Sequence, residues 1–255
     1  VVATRSEPCR SDAGKERREG IVVAVIGARA GVGARTLTRN IGAILTGWGL
    51  QVVVQDRRPG PTRRASDDRS MPREAACDDA PDLNVSRAPE SRAPDEDGLP
   101  VSPWTNCDVE LLHHAPDEAC DLRPTADVVA LVITPHPAVL VDGYALLKSL
   151  HQRGFAGRMV AIVNRVRNQP EAERAAGRLV KTVGQFLGRS LEILGYVPQD
   201  RHVALAADRG EPVAHAFRRC AASSALGVIC TRLMPGRARR VVAPALWSRL
   251  GALFL

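Results

Sequence analysis

Apolar residues along this chain fall into short unbroken runs that alternate with stretches of helical spacing. The run Ile21-Val22-Val23-Ala24-Val25-Ile26 is β-branched, continuous and closed by Gly27, which predicts a strand covered on both faces. From Thr36 to Trp48, the residues Leu37, Ile41, Ile44, Leu45 and Trp48 recur on one helical face, and Gly49 supplies the stop. Gln51–Gln55 (QVVVQ) reads as a second buried strand ending at Asp56, and Val109–Leu112 and Val128–Ile133 (VVALVI) as the next two. Val139, Leu140, Tyr144, Leu147 and Leu150 restore the helical period. Met159–Val163 is then a strand, and a helix opened by Pro170 should turn Leu179, Val183, Phe186 and Leu187 inward. Leu191–Val197 closes the set. No internal repeat is visible. Such alternation predicts an α/β fold, a doubly wound and mostly parallel sheet with helices on both faces. In sheets of this kind ligands sit beyond the carboxyl ends of the strands, so candidate positions follow Ile26, Gln55, Leu112, Ile133, Val163 and Val197.

Three stretches break the pattern. Residues 1–20 are polar and aperiodic and read as a flexible leader. Between 57 and 103 Pro, Arg, Asp and Ser dominate, leaving too little apolar surface to offset ordering entropy, so an irregular, mobile insert is expected there. The region 236–255 is a basic linker followed by an apolar segment. The expected organisation is therefore one α/β domain over 21–235, interrupted by the insert and followed by that tail. No run of about 18 apolar residues suggests a membrane span, and no apolar leader suggests export.

Charge and cysteines add less. The formal net charge of +7 fits an anionic partner. Yet Lys15, Lys148 and Lys181 are the only lysines, and such an arginine excess reflects coding bias as readily as binding, so specific nucleic-acid recognition is not expected. Cys9, Cys77, Cys107, Cys120, Cys220 and Cys230 form no CxxC pair and have no nearby histidine spacing. They read as free thiols in a reducing compartment, with neither a zinc site nor a disulfide framework suggested.

The strand ends carry the chemistry. Gly27-Ala28-Arg29-Ala30-Gly31-Val32-Gly33-Ala34-Arg35-Thr36-Leu37-Thr38 joins a strand to a helix through a glycine loop, where backbone N–H groups converge on an anion. This segment resembles the deviant Walker A loop of the MinD/ParA ATPases, GKGGVGKTTLT. The resemblance implies a P-loop NTPase fold and an ATP site, and it also exposes what has changed. Arg29 stands in place of the family's signature lysine, Ala34 in place of its phosphate-binding lysine and Arg35 in place of its magnesium-binding hydroxyl. Thr36 matches. At the next strand the family's Asp-x-Asp becomes Asp56-Arg57-Arg58, and the Walker B strand ends Leu111-Leu112-His113-His114 where an acid is expected. His113 and His114 read as structural or solvent-facing rather than as catalysts or metal ligands. Charge-assisted hydrogen bonds contribute about 1.5–3 kcal/mol each, so losing several predicts weakened ATP binding and little or no hydrolysis. Magnesium has no confident ligand. The alternative is that Arg29 or Arg35 supplies the lost charge in an active ATPase switch, although a forked guanidinium does not reproduce lysine geometry.

The carboxyl-terminal half is closer to the flagellar-number regulators of the FlhG (YlxH) kind. Leu131 to Pro137, Asp142 to Lys148, Val163-Asn164-Arg165-Val166 and Gly195-Tyr196-Val197-Pro198-Gln199-Asp200 carry that similarity. It implies adenine contacts from Asn164 and from the loop that follows the Pro198–Asp200 turn, so that Asn164, Pro198 and Asp200 are matched positions. The expected nucleotide set is thus Arg29, Gly31, Val32, Gly33, Ala34, Arg35, Thr36, Asp56, Asn164, Arg165, Pro198 and Asp200, with no catalytic residue. By its own spacing, Asn164 is equally a loop-capping amide.

On a helix, Leu246, Trp247, Leu250, Leu253 and Phe254 share one face behind Arg237, Arg239 and Arg240, the pattern of an amphipathic segment at a membrane surface. Packing onto the protein itself is the competing reading. The resemblance places such a helix at this point in MinD and FlhG proteins. It implies a cytoplasmic, peripheral protein at the inner face of the cytoplasmic membrane, a protein partner and a possible homodimer. The function it implies is a regulator or adaptor in flagellar or polar organisation.

Overall fold

The computed structural model describes residues 20–56, 107–116 and 126–235. The insert at 57–103, the leader through residue 19, Cys9, Cys77, Cys120 and the apolar face of the tail lie outside the described residues. What is described is a parallel α/β sheet. Strands β1 (Ile21–Gly27), β2 (Val52–Asp56), β3 (Val109–His114), β4 (Val128–Ile133), β5 (Arg158–Val166) and β6 (Glu192–Pro198) line up in the order β2-β3-β1-β4-β5-β6. Every pairing is parallel.

Helix α1 (Ala34–Gly47) links β1 outward to β2, while α2 (Pro137–Gln152) and α3 (Gln169–Leu187) carry the chain the other way, from β4 to β5 to β6. Right-handed crossovers run in opposite directions place their helices on opposite faces. Accordingly α2 packs with α3, whereas α1 packs with α5 (Val213–Ala216) and α6 (Ala221–Leu233). The short α4 (Arg201–Asp208) follows β6. This two-sided cover explains why β4 is apolar at every position: all six of its residues are buried. Fully burying each large side chain contributes about 1.5–3 kcal/mol, and a single core cluster joins buried residues from Val23 to Met234.

Local signals agree with these elements. Gly49 closes α1 with φ 81, a left-handed turn suited to glycine. Asn168 caps α3 by accepting Glu171 N–H at 3.0 Å, while the Glu171 carboxylate reaches back past the cap to accept Arg167 N–H at 2.8 Å. The expected inward face of α3 needs one correction. Leu179 and Val183 are buried, but Phe186 is 65% exposed. In the last turn the Phe186 ring packs edge-on to Tyr144 of α2, with ring centres 6.3 Å apart, and stays open to solvent, while the neighbouring Leu187 packs against the core.

At the amino-terminal edge of the sheet, Arg158 opens β5. Its guanidinium pairs with Glu192 at 2.6 Å and donates to the carbonyls of Leu233 and Arg232 at 3.3 and 3.1 Å. The last turn of α6 is thereby tied to that edge. Among the described residues, no helix is long and apolar enough to cross a membrane.

Candidate functional site

The glycine loop leaves β1 where the sheet connections change direction, since Ala28 N–H donates to Val132 of β4 at 2.9 Å. That is the topological switch point at which open α/β sheets bind ligands. Gly31 and Gly33 adopt φ 78 and 92, a region that side chains resist. At Gly33 there is a second constraint. A Cβ would lie 2.5 Å from the Asn164 amide nitrogen, and that same Nδ2 donates to Val32 O at 2.8 Å. The other end of the amide accepts Arg165 N–H at 2.9 Å, with Arg165 itself at φ 56. Asn164, buried at the end of β5, therefore ties the loop to a strand two places away. The first helical bond of α1 runs from Leu37 N–H to Gly33 O at 3.0 Å. Ala34, Arg35 and Thr36 thus place their amides at a helix N-terminus, where an anion is favoured.

The loop's two cations face carboxylates of the chain itself. Arg29 binds Asp142 of α2, with Nε and Nη2 each 2.6 Å from Oδ2. Arg35 forms an ion pair with Asp56 at the end of β2. The second oxygen of Asp56 meets His113 Nδ1 at 3.0 Å, because strand register sets Asp56 beside His113. Burial raises the Asp56 pKa, but hydrogen bonds from His113 and Arg35, together with the charges of both, outweigh it and hold the carboxyl at about 2.

These residues suit a phosphate anion in part and a divalent cation poorly. Gly31 faces open space, and the backbone curve with its helix N-terminus would cradle an anion. The Asp56 carboxylate is bonded to a guanidinium and an imidazole, and the guanidinium charge on it opposes a divalent cation there. Pro198 ends β6. Asp200 works inside the fold: its oxygens accept His202 N–H at 2.9 Å and Ala222 N–H at 3.0 Å, so one carboxylate caps both α4 and α6. Of the expected set, the structure brings the loop residues, Asp56 and Asn164 together, while Pro198 and Asp200 sit at the far edge strand. Asp142 and His113 are the partners that sequence reasoning missed. Neither had a signal in spacing, since the contacts span 113 and 57 residues. His114 is buried.

The fold and loop define a P-loop α/β protein. No protein-family model matches the chain. It is 27% identical over 117 residues to the antiactivator FleN of Pseudomonas aeruginosa, a segment covering 46% of this chain and 42% of FleN; the match thus spans less than half of that curated relative. Among solved structures, MinD from Pyrococcus horikoshii, complexed with Mg-ADP, superposes with a TM-score of 0.58 at 15% identity, covering 86% of this chain and 98% of that one. The MinC:MinD complex of Aquifex aeolicus gives 0.55 at 20% identity, covering 85% and 96%. The chain accordingly has the fold of the MinD/ParA ATPases, and its sequence similarity runs to a protein of the FlhG kind.

Two predictions follow from the geometry. Gly33→Ala should destabilise the fold by about 2 kcal/mol or more, from left-handed strain of roughly 1–2 kcal/mol plus the clash with Asn164. In an Asn164→Ala background the penalty should shrink toward the strain alone, a non-additivity that urea denaturation of the four-member cycle would read. The folded pKa of Asp56 lies below its ordinary value of 3.8. Its pairing therefore contributes fully above about pH 4 and is lost as pH falls through 2. Asp56→Asn should remove about 1–2 kcal/mol of that acid-sensitive stability, after discounting for solvent screening. Denaturation midpoints followed from pH 5 to 2 would show a flatter profile.

Proposed function

We propose that this chain is a pseudo-ATPase regulator or adaptor, acting through surface contacts in flagellar or polar organisation. The observation that carries this reading is the Arg35–Asp56–His113 cluster. A guanidinium that neutralises its own chain's carboxylate does not hold a phosphate, and a carboxylate so held does not position a metal-bound water. Groups that act as a catalytic unit fail together. The similarity to FleN, an antiactivator, and the MinC complex of a structural relative support action on a protein partner. ATP binding, where it occurs, would rest on the loop backbone and be weak. A specific observation favours the active alternative: the Arg29 and Arg35 side chains are 52% and 47% exposed, so either could swing toward a phosphate. Peripheral attachment to the inner face of the cytoplasmic membrane, through Leu246, Trp247, Leu250, Leu253 and Phe254, completes the proposal.

Calorimetric titration with ATP, with and without magnesium, combined with a phosphate-release assay, tests the first part. We expect binding weaker than about 0.1 mM, little dependence on magnesium and no turnover above background, as the loss of several charge-assisted contacts requires. Tight magnesium-dependent binding with turnover abolished in Asp56→Ala would establish the active switch instead. For the membrane part, anionic liposomes should sediment the full chain whether or not ATP is present, and Trp247→Glu with Leu250→Glu should abolish sedimentation. Equal sedimentation of that variant would refute attachment through this face.

A further inference from the structure

A second group of chemically diverse side chains lies at the opposite end of the strand edge from Asp56, where β6 gives way to α4. Asp200, His202 and Cys220 each present one ligand-type atom, and these atoms lie within 4.8 Å of one another. Their sequence separation hides them from motif reading: Asp200 and His202 flank one residue, and Cys220 arrives from the N-terminus of α6. The fold makes the convergence, since Asp200 ties the two helix N-termini through His202 N–H and Ala222 N–H.

Oxygen, nitrogen and sulfur donors meeting at one point are a set suited to zinc. His202 Nδ1 lies 2.7 Å from Asp200 Oδ1, and the Cys220 thiol also bonds the Asp200 side chain. Both side chains thus bond the same carboxylate. Zinc bonds of about 2.0–2.3 Å imply ligand separations of roughly 3.3–3.7 Å in a tetrahedron, between the 2.7 Å and 4.8 Å found here. Small side-chain rotations therefore suffice.

The surroundings are those of a supported thiolate ligand. Cys220 Sγ accepts Ser223 N–H at 3.4 Å and lies 3.2 Å from Ser223 Oγ, at the positive end of a 13-residue helix. The His202 ring leans on Phe217, with centres 4.9 Å apart, which fixes its plane. The Asp200 side chain is 9% exposed and that of His202 33%, so the group is sheltered yet open on one side to an entering ion.

We infer that Asp200, His202 and Cys220 form a divalent transition-metal site, selective for zinc, with water as the fourth ligand. On binding, the thiol proton leaves to solvent and the imidazole proton shared by Nδ1 and Asp200 transfers through solvent to Nε2, freeing Nδ1 for the ion. Cysteine count and short spacing gave no such expectation from the sequence, because the ligands belong to two helix starts joined only in three dimensions.

Cobalt(II) titration of the reduced, metal-free full chain tests this inference. One equivalent should produce a near-ultraviolet thiolate-to-cobalt charge-transfer band, bleached by one equivalent of zinc. Cys220→Ser keeps an N-cap oxygen for Ser223 N–H and should fold, yet lose the band. Cys107→Ser should retain it. His202→Ala should weaken zinc binding at least tenfold, read by competition with a chromophoric chelator. Absence of the band from the unaltered chain, its survival in Cys220→Ser, or unchanged zinc affinity in His202→Ala would each overturn the site. ATP binding and turnover do not enter these readings, so they stand apart from the test of the nucleotide loop.

Discussion

The ion pair between Arg35 and Asp56 fixes how the carboxyl edge of this protein behaves. It joins the first turn of α1 to the end of β2, and His113 on the intervening strand takes up the remaining side of the carboxylate. Three elements therefore converge on a single negative charge. Together the two partners favour the ionised form strongly enough to overcome the burial that opposes it. A crevice organised in this way is internally neutralised, and an incoming triphosphate must compete with a carboxylate already in place.

Backbone shape and side-chain chemistry have separated within this crevice. Gly31, Gly33 and the clamp from Asn164 to Val32 preserve a curved loop that only glycine tolerates at its tightest point. The curve is braced from β5, because the Asn164 amide uses one end on Val32 O and the other on Arg165 N–H. Asn164, which resembles an adenine contact in sequence, also braces the loop. Asp200 shows the same division: it matches a nucleotide-loop motif, but its oxygens join α4 and α6.

The parallel sheet was legible because β4 and its neighbours are apolar at consecutive positions, a pattern that only two-sided burial permits. Pro170 marked the start of α3 in the same local way. Strand order was not legible, since nothing local says that β3 slips between β1 and β2. The site divided likewise. Glycine positions are dictated by local backbone geometry and were visible, whereas the partners of Arg29 and Arg35 depend on which strand and helix ends the fold brings within reach. Phe186 failed for a related reason: helical period assigns a face, but the packing of neighbouring elements decides whether each position on it is covered.

The clamp that Arg158 places on the last turn of α6 gives the molecule a polarity. The chain passes residue 233 beside the opening residue of β5, at the pole opposite the glycine loop, Asp56 and Asp200. Under the attachment proposed above, the anchoring segment would depart from one pole while the crevice looks outward from the other.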